Sequence, residues 1–161
     1  VADIIDFTEL MRRAIEVAKQ GVEAGQSPFG AVIATKNGEV VFTTNNMVRA
    51  RCDATAHAEI AAIRGACGKL GTIDLSGYVI AATCEPCPMC AAAIHWARLD
   101  AVIYGASIAD AKRAGFRELP VSIESLYRQG ASHVRIHPHV LRDECIRLFE
   151  LWKHGPNPIP Y

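Results

Sequence analysis

The chain has 161 residues, 50% of them hydrophobic and 21% charged, a balance that suits one globular domain with an apolar core. Seventeen basic residues offset seventeen acidic ones, giving a formal net charge of zero. That neutrality argues against a nonspecific nucleic-acid binder and against electrostatic attachment to an acidic membrane. Val1-Ala2-Asp3 opens no leader of basic residues followed by an apolar run, and no stretch is long enough to span a bilayer. A cytoplasmic location is therefore expected.

Along the chain, Thr8 is expected to cap a first helix running to about Glu23, with Leu10, Ala14, Val17 and Ala18 near one face. Phe29–Ala34 and Val40–Thr44 read as two strands around Asn37-Gly38, a strong hairpin turn signal. A loop from Asn45 to Asp53 leads into a helix from about Ala54 to Leu70, whose buried side is marked by Ile60, Ile63, Cys67 and Leu70. Tyr78–Thr83 is a short apolar strand, and Pro86-Cys87 is expected to open the next helix, since proline is tolerated in a first turn. Ala101–Tyr104 forms a strand, Ile108–Ala114 a short helix, residues 122–128 another, and Val134–Ile136 a further strand. The last helix, Val140–Trp152, carries Leu141, Cys145, Leu148 and Trp152 on one side. Alternating strands and helices predict an α/β fold, a three-layer α/β/α sandwich around a central mixed five-stranded sheet. Residues 1–154 form the expected domain. The tail 155–161 holds Pro156, Pro158 and Pro160, which impose an extended path and lower the entropy lost if that path docks.

Three of the six cysteines crowd into Cys84-Glu85-Pro86-Cys87-Pro88-Met89-Cys90, about thirty residues after His57-Ala58-Glu59. That density, with a histidine upstream, favours metal binding over a disulfide framework. Cys87 and Cys90 at spacing i,i+3 aim two sulfurs at one point, and His57 supplies a third ligand from another helix start. Three protein ligands leave the fourth tetrahedral position to water, as in a catalytic zinc site. Zinc lowers the pKa of such a water to about 7, and Glu59 is close enough to move its proton without ligating. The pattern is that of a zinc-dependent deaminase of nucleobases or nucleosides, with one Zn(2+) per subunit. A closed structural site would need a fourth protein ligand. Cys84 is the nearest spare sulfur, and it is read as a small core residue instead, like Cys52, Cys67 and Cys145.

Across essentially its full length the sequence resembles the cytidine deaminase-like superfamily. Pro28-Phe29-Gly30-Ala31-Val32, Thr55-Ala56-His57-Ala58-Glu59 and Cys84 through Cys90 look like its purine-acting branch, which includes bacterial guanine deaminase and the transfer-RNA adenosine deaminases. Ala93 through Arg98, Asp110 through Phe116 and Tyr161 are closer to guanine deaminase. The resemblance implies Asn45 as the ring-binding asparagine, with Asn46 the lesser candidate. Phe29 is suited to stack on or edge against the base and His95-Trp96 to wall the pocket, with Trp96 fitting a core position equally well. The backbone near Ala58 and Cys87 would help bind the base, and Glu118 would recognise ring and amino groups. Guanine deaminases carry an acidic pair where this chain has Arg117-Glu118. Tyr161 is implied as a substrate-contacting lid residue exchanged between the subunits of a homodimer. The expected reaction is guanine plus water to xanthine plus ammonia. A transfer-RNA adenosine deaminase, or a deaminase of guanosine, cytosine or another small aminated heterocycle, stays open as the alternative.

Overall fold

A computed structural model describes residues 5–161, so the Val1-Ala2-Asp3 start lies outside the described residues. The first helix, α1 (Phe7–Glu23), is capped by Asp6 and not by Thr8: Oδ1 of Asp6 accepts the Thr8 and Glu9 N–H groups at 2.9 and 3.2 Å. A carboxylate ahead of the first turn satisfies two amides that the helix itself cannot, and Thr8 lies one position too far in to do so.

β1 (Gly30–Thr35) and β2 (Val40–Asn45) form the expected antiparallel hairpin, with Gly38 at φ 86° in the turn. β3 (Tyr78–Cys84) pairs antiparallel with β1, and β4 (Ala101–Ala106) and β5 (Arg135–His137) continue the sheet in parallel. The spatial order is β2-β1-β3-β4-β5, a mixed five-stranded sheet. A short helix absent from the sequence reading, α2 (Val48–Arg51), sits in the loop after β2. The remaining helices are α3 (Ala58–Leu70), α4 (Pro88–Trp96), α5 (Ile108–Arg113), α6 (Ile123–Gln129) and α7 (Arg142–Lys153).

Strand alternation divides the core into two layers. Val32, Ala34, Val79, Ala81 and Ile103 pack with Leu10, Met11, Leu148 and Trp152 of α1 and α7. Ala31, Ile33, Ile80 and Val102 face α3, α4 and α6 through Ala62, Ala66, Ile94 and Tyr127. Helices therefore cover both faces, giving the α/β/α sandwich.

Two expectations about α3 need correction. It begins at Ala58 and not Ala54, because Asp53 Oδ1 takes the Thr55 N–H and hydroxyl at 2.8 and 2.7 Å and holds 53–57 in a turn. Its buried side is Ala58, Glu59, Ala61, Ala62 and Ala66, whereas Ile60 and Ile63 are half-buried and Leu70 is exposed. Small residues let this helix lie close on the sheet and turn Glu59 inward.

Candidate active site

The site forms where α3 and α4 begin, beside the carboxyl end of β3. This end of parallel strands is where α/β sheets generally place ligands. His57 and Cys87 occupy equivalent positions, each the extended residue immediately before its helix. The proline in the first turn of α4 is thus Pro88, with Cys87 just outside it. Cys90 follows one turn later and is fully buried.

Nδ1 of His57 lies 3.6 Å from Cys87 Sγ and 3.5 Å from Cys90 Sγ. All three ligand atoms fall within 4.8 Å of one another, the one such group of His, Cys, Asp or Glu side chains among the described residues. With Zn–S near 2.3 Å and Zn–N near 2.0–2.1 Å, a tetrahedral ion needs nitrogen and sulfur roughly 3.5 Å apart. The donor set and its separations fit zinc. Cys84 stands outside this set, at the end of β3, with its thiol directed at the Ser107 carbonyl at 3.6 Å. Within the set, the hydrogen bond from Cys90 brings the Cys87 thiol down to about 4, while the shared proton and burial push Cys90 well up.

Glu59 is buried beside the cluster. Desolvation raises its carboxyl to about 7, against the opposing charge of His57. A group that must both take and return a proton works best with a pKa near the ambient pH.

Phe29, Asn46, His57, Glu59, Cys84, Glu85, Cys87, Glu118 and Tyr161 line the adjoining cavity. Phe29, Glu118 and Tyr161 are brought together as the sequence suggested. Burial pushes the Glu118 carboxyl up, and the nearby Cys87 adds to the effect. Phe29 packs edge-on against Phe116 at 4.9 Å, and Phe116 in turn lies 5.6 Å from the Tyr161 ring. Ala58 is buried as the first residue of α3, between ligand and carboxylate.

Two residues fall elsewhere. Asn45 ends β2 with its side chain against α1, where a Cβ on Gly21 would meet it at 2.8 Å. Asn46, the next residue, turns the opposite way and faces the cavity. Strand alternation sends adjacent side chains to opposite faces, so only one of the pair faces the cavity. Trp96 is 78% exposed and packs edge-on against His95, away from the cavity. It closes α4, eight residues after Pro88, and a helical rise of 1.5 Å per residue puts it about 12 Å from the end that bears the ligands.

Glu85 was not singled out from sequence. Its carboxylate is buried in the cavity wall and accepts the Ile108 N–H at 3.3 Å and the Ile123 N–H at 3.0 Å. One side chain thereby fixes both ends of the segment that carries Phe116 and Glu118. Its place beside Pro86-Cys87 was the available signal.

The tail folds back over the site of its own chain. Asn46 Nδ2 donates to the Tyr161 hydroxyl, and Asn46 Oδ1 accepts the Val48 N–H at 3.1 Å. The Arg117 N–H donates to the Tyr161 carbonyl at 3.1 Å. Hence Arg117 places a backbone donor, and not its guanidinium, against Tyr161.

Residues 6–106 match the family described as the cytidine and deoxycytidylate deaminase zinc-binding region, and the chain belongs to that family. The site is a zinc-binding deaminase active site of this superfamily. Guanine deaminase from Bacillus subtilis (strain 168) is 49% identical over 107 residues, covering 66% of this chain and 68% of the relative. The tRNA-specific adenosine deaminase of the same organism is 42% identical over 96 residues, so the aligned stretch spans 59% of that relative and 60% of this chain. A solved structure of guanine deaminase from Nitrosomonas europaea superposes with a TM-score of 0.86 at 25% identity, covering 92% of this chain and 85% of the other. Among the described residues, no helix is long and apolar enough to cross a membrane.

Proposed function

We propose that the chain hydrolyses a free aminated purine base, guanine, to xanthine and ammonia. The observation that carries this reading is the chemistry of the cavity wall. Glu118, Asn46 and the Tyr161 hydroxyl face it, and none of its lining residues is a lysine or arginine. Such a wall suits a neutral heterocycle rich in N–H donors and offers no partner to a phosphate. The likeness to the two guanine deaminases supports the same substrate.

His57, Cys87 and Cys90 would hold zinc, which when bound supplies a Lewis acid that acidifies water at neutral pH. Glu59 takes a proton from the attacking water and delivers it to the ring nitrogen beside the amine-bearing carbon. The new C–O bond converts that carbon to a tetrahedral centre. Glu59 then takes the proton of the newly attached hydroxyl and passes it to the exocyclic nitrogen; the carbonyl forms as the C–N bond breaks, and ammonia leaves. Glu118 and Asn46 orient the base, and the aromatic rings of Phe29 and Tyr161 confine it and exclude bulk water. The chain works as a homodimer, and mixing subunits that lack Glu59 with subunits that lack Tyr161 tests whether the tail serves its own site or its neighbour's.

A wobble-adenosine deaminase of transfer RNA is the second reading, favoured by the 42% identity to such an enzyme. Ammonia release from guanine, guanosine, adenine, cytosine and transfer RNA separates the two. Turnover of guanine with none of transfer RNA is expected. The reverse pattern would overturn the proposal.

A further inference from the structure

With the tail docked, the cavity beside the zinc ligands has a volume of about 30 Å3. That is room for a water or two and far too little for a bicyclic base. Tyr161 lines that cavity, so the position of the tail bears on how much room a base has there. What holds it down is then part of how the enzyme binds its substrate.

Beyond Tyr161, whose ring packs on the core beside Phe116, the tail has little to hold it through apolar burial. Pro158, Ile159 and Pro160 are exposed. Its three prolines carry no N–H, and the Ile159 N–H is spent inside the tail on the Asn157 carbonyl at 2.9 Å. Apart from that ring, its purchase on the body is polar. Asn157 Nδ2 donates to the Gly25 carbonyl at 3.2 Å, Tyr161 is gripped by Asn46 and Arg117, and Arg49 Nη2 donates to the Ile159 carbonyl.

Of these donors Arg49 alone is charged, and hydrogen bonds from ionised donors are roughly twice as strong as neutral ones. No carboxylate among the described residues pairs with Arg49 in a salt bridge. Its Nε is shielded from solvent without an acceptor, so among the described residues the guanidinium's one hydrogen bond is to the tail. Arg49 sits in α2, three residues after Asn46, whose own amide holds the start of that helix. The segment 46–49 thus grasps the tail at two points, the Ile159 carbonyl and the Tyr161 hydroxyl.

We infer that Arg49 is a positioning residue, a latch that holds the tail closed over bound base through the Ile159 carbonyl and so sets substrate affinity without touching substrate. The inference rests on the deaminase reading only for its kinetic half. The latch itself is a property of the protein without substrate.

The test uses the full zinc-loaded chain with Arg49→Ala, Arg49→Lys and, as control, Arg51→Ala on the exposed side of the same short helix. Amide hydrogen exchange is followed at Asn157, Ile159 and Tyr161, alongside KM and kcat for guanine and the melting temperature. Losing a charged hydrogen bond should speed tail exchange and raise KM about tenfold in Arg49→Ala. In that variant kcat should hold within about threefold and melting should be unchanged. Arg49→Lys should recover part of both effects, and Arg51→Ala should match the unmodified protein. Tail exchange in Arg49→Ala equal to that of the Arg51→Ala control would overturn the latch. Faster exchange with an unchanged KM would overturn its role in substrate affinity. If the unmodified chain does not turn over guanine while exchange responds to Arg49, the latch stands and the guanine reading fails.

Discussion

The Asn46 amide donates to the Tyr161 hydroxyl across 115 positions of sequence, joining the residue after β2 to the end of the tail. Neither group is free to move alone. Both line the cavity, and the bond between them fixes how the amide faces it.

Asn46→Ala should lower kcat/KM for guanine about a hundredfold, because it removes a base contact and a lid contact together. Asn45→Ala, on the opposite face, should change it by less than about threefold. Steady-state kinetics of both variants decide the matter, and equal losses would mean the two side chains are wrongly assigned.

Glu59→Gln should fold normally and hold a full complement of zinc, yet lose at least about a thousandfold in kcat, since an amide cannot shuttle protons. Metal content by atomic emission, measured on the same sample as turnover, separates proton transfer from metal binding. Turnover above a few per cent of the unmodified rate would remove Glu59 from the mechanism.

Treatment with a strong chelator should abolish turnover, and stoichiometric zinc should restore it. Cys87→Ala and Cys90→Ala should not be restored, because three donors hold the ion and two bind it far more weakly. Full activity after metal is removed to background would dismiss the metal from the reaction.

Asp110 offers a test of stability that is independent of turnover. It is 5% exposed and accepts from the Ser107 N–H at 2.8 Å and from Arg142 at 2.9 and 3.2 Å, with Arg113 also paired to it. Desolvation alone would raise its carboxyl, but the Ser107 hydrogen bonds and the Arg142 guanidinium outweigh it and hold the group below the usual carboxylate range. With the folded value depressed, the contribution to stability is full above the unfolded value near 3.9 and disappears as pH falls through the folded one. Asp110→Asn should cost about 2 kcal/mol at neutral pH, and the difference from the unmodified chain should shrink below about pH 4. Denaturant melts at pH 7 and pH 3 check this. A gap that is as wide at the lower pH would show that the cost has another origin.

Much of the chemistry was legible because it is local in sequence. His57 and Glu59 are two residues apart, Cys87 and Cys90 three, and each pair sits at a helix start whose geometry fixes where the side chains go. The metal ligands and the buried carboxylate followed from residue type and spacing, as did the five strands and most helices. The core phase of α3 did not, because alanine is a weak hydrophobic signal. Its small size mattered only against the sheet it packs on.

What the amino-acid order determined was the reactive centre, since short-range spacing and helix geometry suffice to converge those side chains. The tertiary structure alone decided which of two adjacent asparagines faces the cavity, that Trp96 lies outside it, and that Glu85 staples the segment carrying Glu118. It also brought Tyr161 against Asn46. Each of these depends on elements far apart in the chain meeting in space, and residue spacing carries no record of those meetings.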